Sequence, residues 1–178
     1  LKRDIVNAIS DKLEATILGS AAGSATMPAG IFNGVTPETK DITYKRLVDM
    51  ETALEEANVA GNKCFIVSPS AKGILKTTAK DALYNVTDGG VHTCVGCAGC
   101  LMEENEVNGY PVYCTSNVTS KGVVMGHFED FVIGQWGGID LTVDPYTQAA
   151  NGKVRLVINA YFDAKPRRTG SFQKAILK

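Results

Sequence analysis

The chain has 178 residues, 44% of them hydrophobic and 21% charged, with 18 Lys and Arg against 19 Asp and Glu for a net charge of -1. This is the composition of an ordinary soluble protein; it argues against disorder and supplies no basic field for holding nucleic acid by counterion release. No apolar run reaches the roughly 18 residues of a membrane span, and 5 cysteines, an odd number in so short a chain, do not suit an extracellular disulfide framework. A reducing cytoplasm is the compartment that fits.

Ile5, Ile9, Leu13 and Ile17 recur at every fourth residue, which predicts an amphipathic helix with one buried face that stops at Gly19. The pattern is already under way at Leu1, as expected of a piece of a longer product, and it does not read as a signal peptide. The small residues of GSAAGSATMPAGIFNG predict a long surface loop that ends where Ile31 and Phe32 dock. From Asp41 the spacing of Leu47, Met50, Leu54 and Ala57 predicts a second helix, with Lys45 and Asp49 paired across one turn and Gly61 past its end. Cys64 to Val67 then reads as a buried strand, followed by Ser68 as N-cap and Pro69 as the first residue of a third helix.

Residues 83–109 lose periodicity and read as irregular chain or a hairpin. Beyond them YPVYCTS, GVVMGHF, DFVIGQW, IDLTV and KVRLVINAYFDA predict separate strands. In the last of these Val154, Leu156, Ile158, Ala160 and Phe162 alternate with Arg155, Val157, Asn159, Tyr161 and Asp163, so one face is expected to be buried and the mixed face to meet a partner. Helices early and strands late place the chain in the α+β class.

The most enzyme-like stretch is HTCVGCAGC, His92 to Cys100. A tetrahedral thiolate site needs two converging pairs, and Cys94, Cys97 and Cys100 are half a motif, with Cys114 or His92 available as a fourth ligand. No basic residue within the cluster depresses a thiol pKa for redox work. The reading is therefore a turning or close-packed segment with cysteines as small apolar residues, the alternative being a thiolate-metal or redox protein. His127 reads as structural, the glycine-rich loop lacks the Lys-Ser/Thr of a phosphate loop, and MEENE reads as a solvated turn rather than a calcium loop. No catalytic, cofactor or metal residue is assigned.

The order of these motifs resembles the major capsid proteins of tailed bacteriophages with the Hong Kong 97-type fold. The similarity runs from the glycine-rich GSAAGSATMPAGIF after the first helix, through ITYKRLVDMETALEEA and KCFIVSPSAKGILKTT, to VNGYPVYCTSNV, GVVMGHFEDFVIG and the closing VRLVINAYFDAKPRRTGSFQKAIL. It implies a peripheral domain with a spine helix and sheet, mainly residues 1–35 and 120–178, and an axial domain, mainly 36–119. It also implies an N-terminal arm and extended loop that this stretch of chain does not contain. The implied function is self-assembly into pentamers and hexamers of an icosahedral phage or prophage head around double-stranded DNA, without sequence-specific binding, membrane, cofactor or catalysis. Assembly would take place in the host cytoplasm and the product would be the virion. An encapsulin-like compartment shell is the alternative within the same fold. If residues 83–105 form the axial tip, Glu103, Glu104 and Glu106 become candidate assembly contacts.

Overall fold

The computed structural model describes residues 2–80 and 99–178. His92, Cys94 and Cys97 lie outside these residues, as does most of the segment read as irregular chain or a hairpin.

The first helix, α1 (Lys2–Ile17), follows the expected stripe, but only its end is buried. Ile17 and Leu18 enter the core, Ile5, Ile9 and Leu13 are half-buried, and Val6 is exposed. The reason is what surrounds the last turn. A helix leaves its final carbonyls without partners, and here the returning loop supplies one, Ile31 N donating to Ile17 O at 2.7 Å, then stays bonded to the chain just past the helix through Phe32 N to Gly19 O at 3.1 Å and Gly30 N to Ala21 O at 3.0 Å. The two backbones approach so closely that a Cβ on Gly30 would run into the Gly19 carbonyl. Ile31 and Phe32 dock as expected.

In α2 (Tyr44–Glu56) the Thr43 hydroxyl caps the first turn and Leu47, Met50 and Leu54 form the buried stripe. Lys45 and Asp49 pair at 2.6 Å. The stop is Asn58, not Gly61. Asn58 takes a left-handed φ of 52°, its N–H donates to Glu55 O at 2.8 Å, and Val59 N donates to Leu54 O at 3.0 Å. That pair of hydrogen bonds is the Schellman arrangement, and Val59 and Leu54 share one core cluster, the contact that frequently accompanies it. Gly61 instead leaves room for the His127 ring, against which a Cβ would collide. His127 Nδ1 donates to Asn62 O at 2.8 Å, a structural clasp.

The strand β1 (Cys64–Val67) leads into α3 (Pro69–Thr77), whose first turn is capped by the Ser68 hydroxyl accepting from Ala71 N at 3.2 Å. There follow β2 (Glu106–Val107), β3 (Tyr110–Cys114), β4 (Gly122–Gly126), β5 (Phe131–Asp144), β6 (Arg155–Pro166) and β7 (Phe172–Ile176). Five of these form one mixed sheet in the order β2-β3-β1-β4-β7, with β1 parallel to β3 and antiparallel to β4. The interior strand β4 is buried along its whole length because both of its faces are covered. Val123 and Met125 meet α2 and α3 with Phe65, Val67, Ala71 and Leu75. On the other face Val124 meets Ile17, Ile31, Phe32 and Phe172.

The strands β5 and β6 form a separate antiparallel ribbon. The segments DFVIGQW and IDLTV, expected as two strands, are one strand in the structure. Gly137, at φ 72°, lets the chain bulge, so that Gly137, Gly138 and Ile139 stand opposite Ala160 and pairing resumes at Asp140 with Asn159. The expected buried face of β6 is only half covered: Leu156, Ile158, Ala160 and Phe162 are partly buried, and burial is complete only at Ala164, beside α1 and Phe172. Val154 lies before the strand and is exposed.

Candidate functional site

The candidate sites are surfaces, and the first is the acidic turn. Glu104 and Asn105 have φ of 45° and 66°, the two left-handed residues of a tight hairpin turn, closed by Glu103 N to Glu106 O at 3.1 Å and Glu106 N to Glu103 O at 2.6 Å. All three glutamates are exposed, on buried Leu101, Met102 and Val107. They are not equivalent. Glu103 Oε1 accepts from Cys100 N at 3.1 Å, which leaves Glu104 and Glu106 as the free carboxylates of the turn among the described residues. Lys72 stands beside them, its Nζ donating to Asn105 Oδ1 at 2.9 Å.

A clamp missed by sequence reasoning fixes this hairpin to α2. Glu51 accepts from Tyr110 OH at 3.1 Å and from Asn108 Nδ2 at 3.3 Å. No local pattern announces it, because the partners are more than fifty residues apart in sequence. Burial pushes the Tyr110 hydroxyl pKa up, aided by the Glu51 hydrogen bond and the charges of Glu51 and Glu55. A raised pKa means stability that is fully present below the unfolded value, about 10, and lost as pH rises through the folded one. Tyr110→Phe is therefore expected to cost about 1 kcal/mol at neutral pH and to flatten the alkaline limb of a stability profile followed by urea titration; parallel limbs in the two proteins would refute the clamp.

Of the candidate thiols, Cys100 is half-exposed and pairs in a single bridge with Ala79, while Cys114 is exposed at the end of β3, opposite Val67. Burial pushes the Cys64 thiol pKa up. Among the described residues no group of three or more His, Cys, Asp or Glu could hold a metal ion; Cys94 and Cys97 lie outside them.

The second surface is the β5–β6 ribbon. Trp136 is 59% exposed, Tyr161 64%, Leu141 54% and Val143 55%. Register puts Trp136 beside Tyr161 on one face, and Leu141 with Ile158 and Val143 with Leu156 on the other. A two-stranded ribbon is marginal on its own in water, and contiguous exposed apolar residues mark contact surfaces. At its tip Asp144 accepts from the amides of Tyr146 at 2.9 Å and Thr147 at 3.1 Å and from the Thr147 hydroxyl. These bonds, with Arg155 opposite, hold the Asp144 carboxyl below its usual range.

Residues 1–175 match the phage capsid family. The chain belongs to that family. It is similar to the major capsid protein of Halomonas phage phiHAP-1, 31% identical over 133 residues, which are 74% of this chain and 20% of that protein. Among solved structures it resembles the capsid of an empty GTA particle, with a TM-score of 0.63 and 17% identity over 100% of this chain and 66% of that one. It also resembles a chain from Gordonia phage Cozz, with a TM-score of 0.63 and 17% identity over 99% of this chain and 62% of the other. The chain thus spans one fifth of the length of its curated relative and 66% and 62% of these two solved chains. The fold is the α+β Hong Kong 97 type that the order of motifs implied, and this phage capsid family chain builds it from the mixed sheet, the helices on its faces and the long ribbon.

Proposed function

We propose that the chain is part of a structural subunit of a phage or prophage head, whose copies associate into pentamers and hexamers and close an icosahedral shell around double-stranded DNA. The match to the phage capsid family over residues 1–175 carries this reading. The exposed apolar ribbon supports it, since such a surface requires a covering partner, and so does the net charge of -1, which keeps repulsion between neighbours small. The role is geometric, without catalytic turnover or sequence-specific contact to DNA; the shell assembles in the host cytoplasm and becomes part of the virion. Residues 1–35 and 120–178 form mainly a peripheral domain, and residues 36–119 mainly an axial one. An encapsulin-like compartment is not favoured, because the curated relative is a phage major capsid protein.

Electron microscopy of the full-length product expressed alone tests the reading: shells or capsomers are expected, and a folded protein that stays monomeric at every concentration would overturn it. Exchanging Trp136, Leu141 and Val143 together for Asn is expected to abolish assembly while changing subunit stability by about 1 kcal/mol or less, since all three are exposed.

The acidic turn is proposed to face the capsomer axis. There Glu104 and Glu106 from each copy crowd together, and like charges oppose association unless screened. Replacing Glu103, Glu104 and Glu106 by Gln is expected to favour capsomers at low ionic strength and to matter less at high salt. Glu103→Gln keeps a side-chain oxygen that accepts from Cys100 N, so the turn survives. Sedimentation that is unchanged in both salt conditions would place this turn away from the axis.

A further inference from the structure

We infer that Asn33 is a site of spontaneous self-modification, in which the backbone nitrogen of Gly34 displaces the side-chain amide of Asn33. The chain contains three Asn-Gly pairs, Asn33-Gly34, Asn108-Gly109 and Asn151-Gly152. A glycine after asparagine leaves the attacking nitrogen unshielded, since it has no Cβ. By sequence the three are alike; their surroundings separate them.

Asn108 is half-buried. Its Nδ2 donates to Glu51 Oε2 at 3.3 Å and its Oδ1 is buried without a partner, so swinging the carboxamide onto the Gly109 nitrogen breaks the clamp to α2. At Asn151-Gly152 the nucleophile itself is engaged: Gly152 N donates to Ala149 O at 3.0 Å, and the next amide, Lys153 N, to Gln148 O at 3.2 Å. Asn33 differs on both counts. It is exposed, and among the described residues neither its side chain nor Gly34 N has a hydrogen-bond partner. A Cβ at Gly34, which has a φ of 73°, would meet nothing within 4 Å, so a ring formed there has open space. Two backbone bonds hold the chain here, Val35 N to Phe32 O at 3.1 Å and Asn33 N to Gly30 O at 3.0 Å, and neither engages the attacking nitrogen.

In the reaction the Gly34 nitrogen gives its proton to solvent base and bonds to Asn33 Cγ. The Cγ–Nδ2 bond breaks, and the amide takes a proton from water and leaves as ammonia. One water molecule then opens the five-membered succinimide at either carbonyl, giving aspartate or isoaspartate; nothing is oxidised or reduced. Each subunit thereby gains a negative charge where it held a neutral amide. The isoaspartate product also inserts an extra backbone carbon directly after the buried Phe32.

The test is peptide mass mapping with isoaspartate detection on the folded protein over time in mildly alkaline buffer, with a parallel sample in concentrated urea. Conversion at Asn33 is expected to run several-fold ahead of Asn151, with Asn108 unchanged, and the three rates are expected to converge in urea. Asn33→Gln is expected to remove the fast component, because its ring closure is slower, while leaving the circular dichroism unchanged. Folded-state conversion at Asn108 or Asn151 as fast as at Asn33 would overturn the inference, as would an inert Asn33 in folded protein that reacts once unfolded.

Discussion

Phe65→Ala is expected to cost about 3–5 kcal/mol, a large share of the roughly 5–15 kcal/mol by which a domain is stable. Phe65 is fully buried and lies on β1, directly opposite Val112 of β3 and Met125 of β4. Its ring meets that of Tyr110 edge-on, with centroids 6.5 Å apart. Truncation thus leaves a hole at the junction of three strands and the helices above them, where paired backbones on either side prevent collapse. Urea denaturation is expected to show a lower midpoint at an unchanged slope. The control is Tyr113→Ala on the neighbouring strand, 60% exposed, for which the change is expected to stay within about 0.5 kcal/mol. A loss below about 1 kcal/mol at Phe65 would mean that this junction is not the core.

Gly30→Ala is expected to destabilise by about 1–3 kcal/mol, although it adds only one methyl group. The obstacle is backbone. The Gly19 carbonyl that the new Cβ meets is held in place by its bond from Phe32 N, so no side-chain rotation relieves the clash. Separating the segments weakens this bond and the neighbouring one from Ile31 N to Ile17 O that satisfies the end of α1. The identical substitution at Gly73, in α3, has the opposite expected sign. A Cβ there meets nothing within 4 Å, and removing glycine from a helix interior stabilises by about 0.5–1 kcal/mol. Thermal or urea unfolding of both variants checks the pair; two changes of the same sign would refute the close approach at Gly30.

Periodicity and capping chemistry act within a few residues, and where they decided the structure they were readable in the sequence. The stripe of Leu47, Met50 and Leu54, the Lys45–Asp49 pair, and the Ser68 cap before Pro69 all stand where their spacing placed them. The order of such motifs also pointed to the phage capsid family, because order along the chain survives when individual residues change. Tertiary structure decided whatever depends on partners distant in sequence. Asn58 ends α2 because Val59 can enter the core beside Leu54, while Gly61 serves the His127 ring that arrives from β4. The bulge at Gly137 to Ile139 keeps β5 continuous because β6 runs alongside on both sides of it; read alone, the glycines looked like a break. Glu51 could not be matched to Asn108 and Tyr110 before the fold brought them together. Nor could alternation along β6 say whether its apolar side is covered, since a strand's pattern specifies two faces and only the neighbouring layers determine which of them is buried.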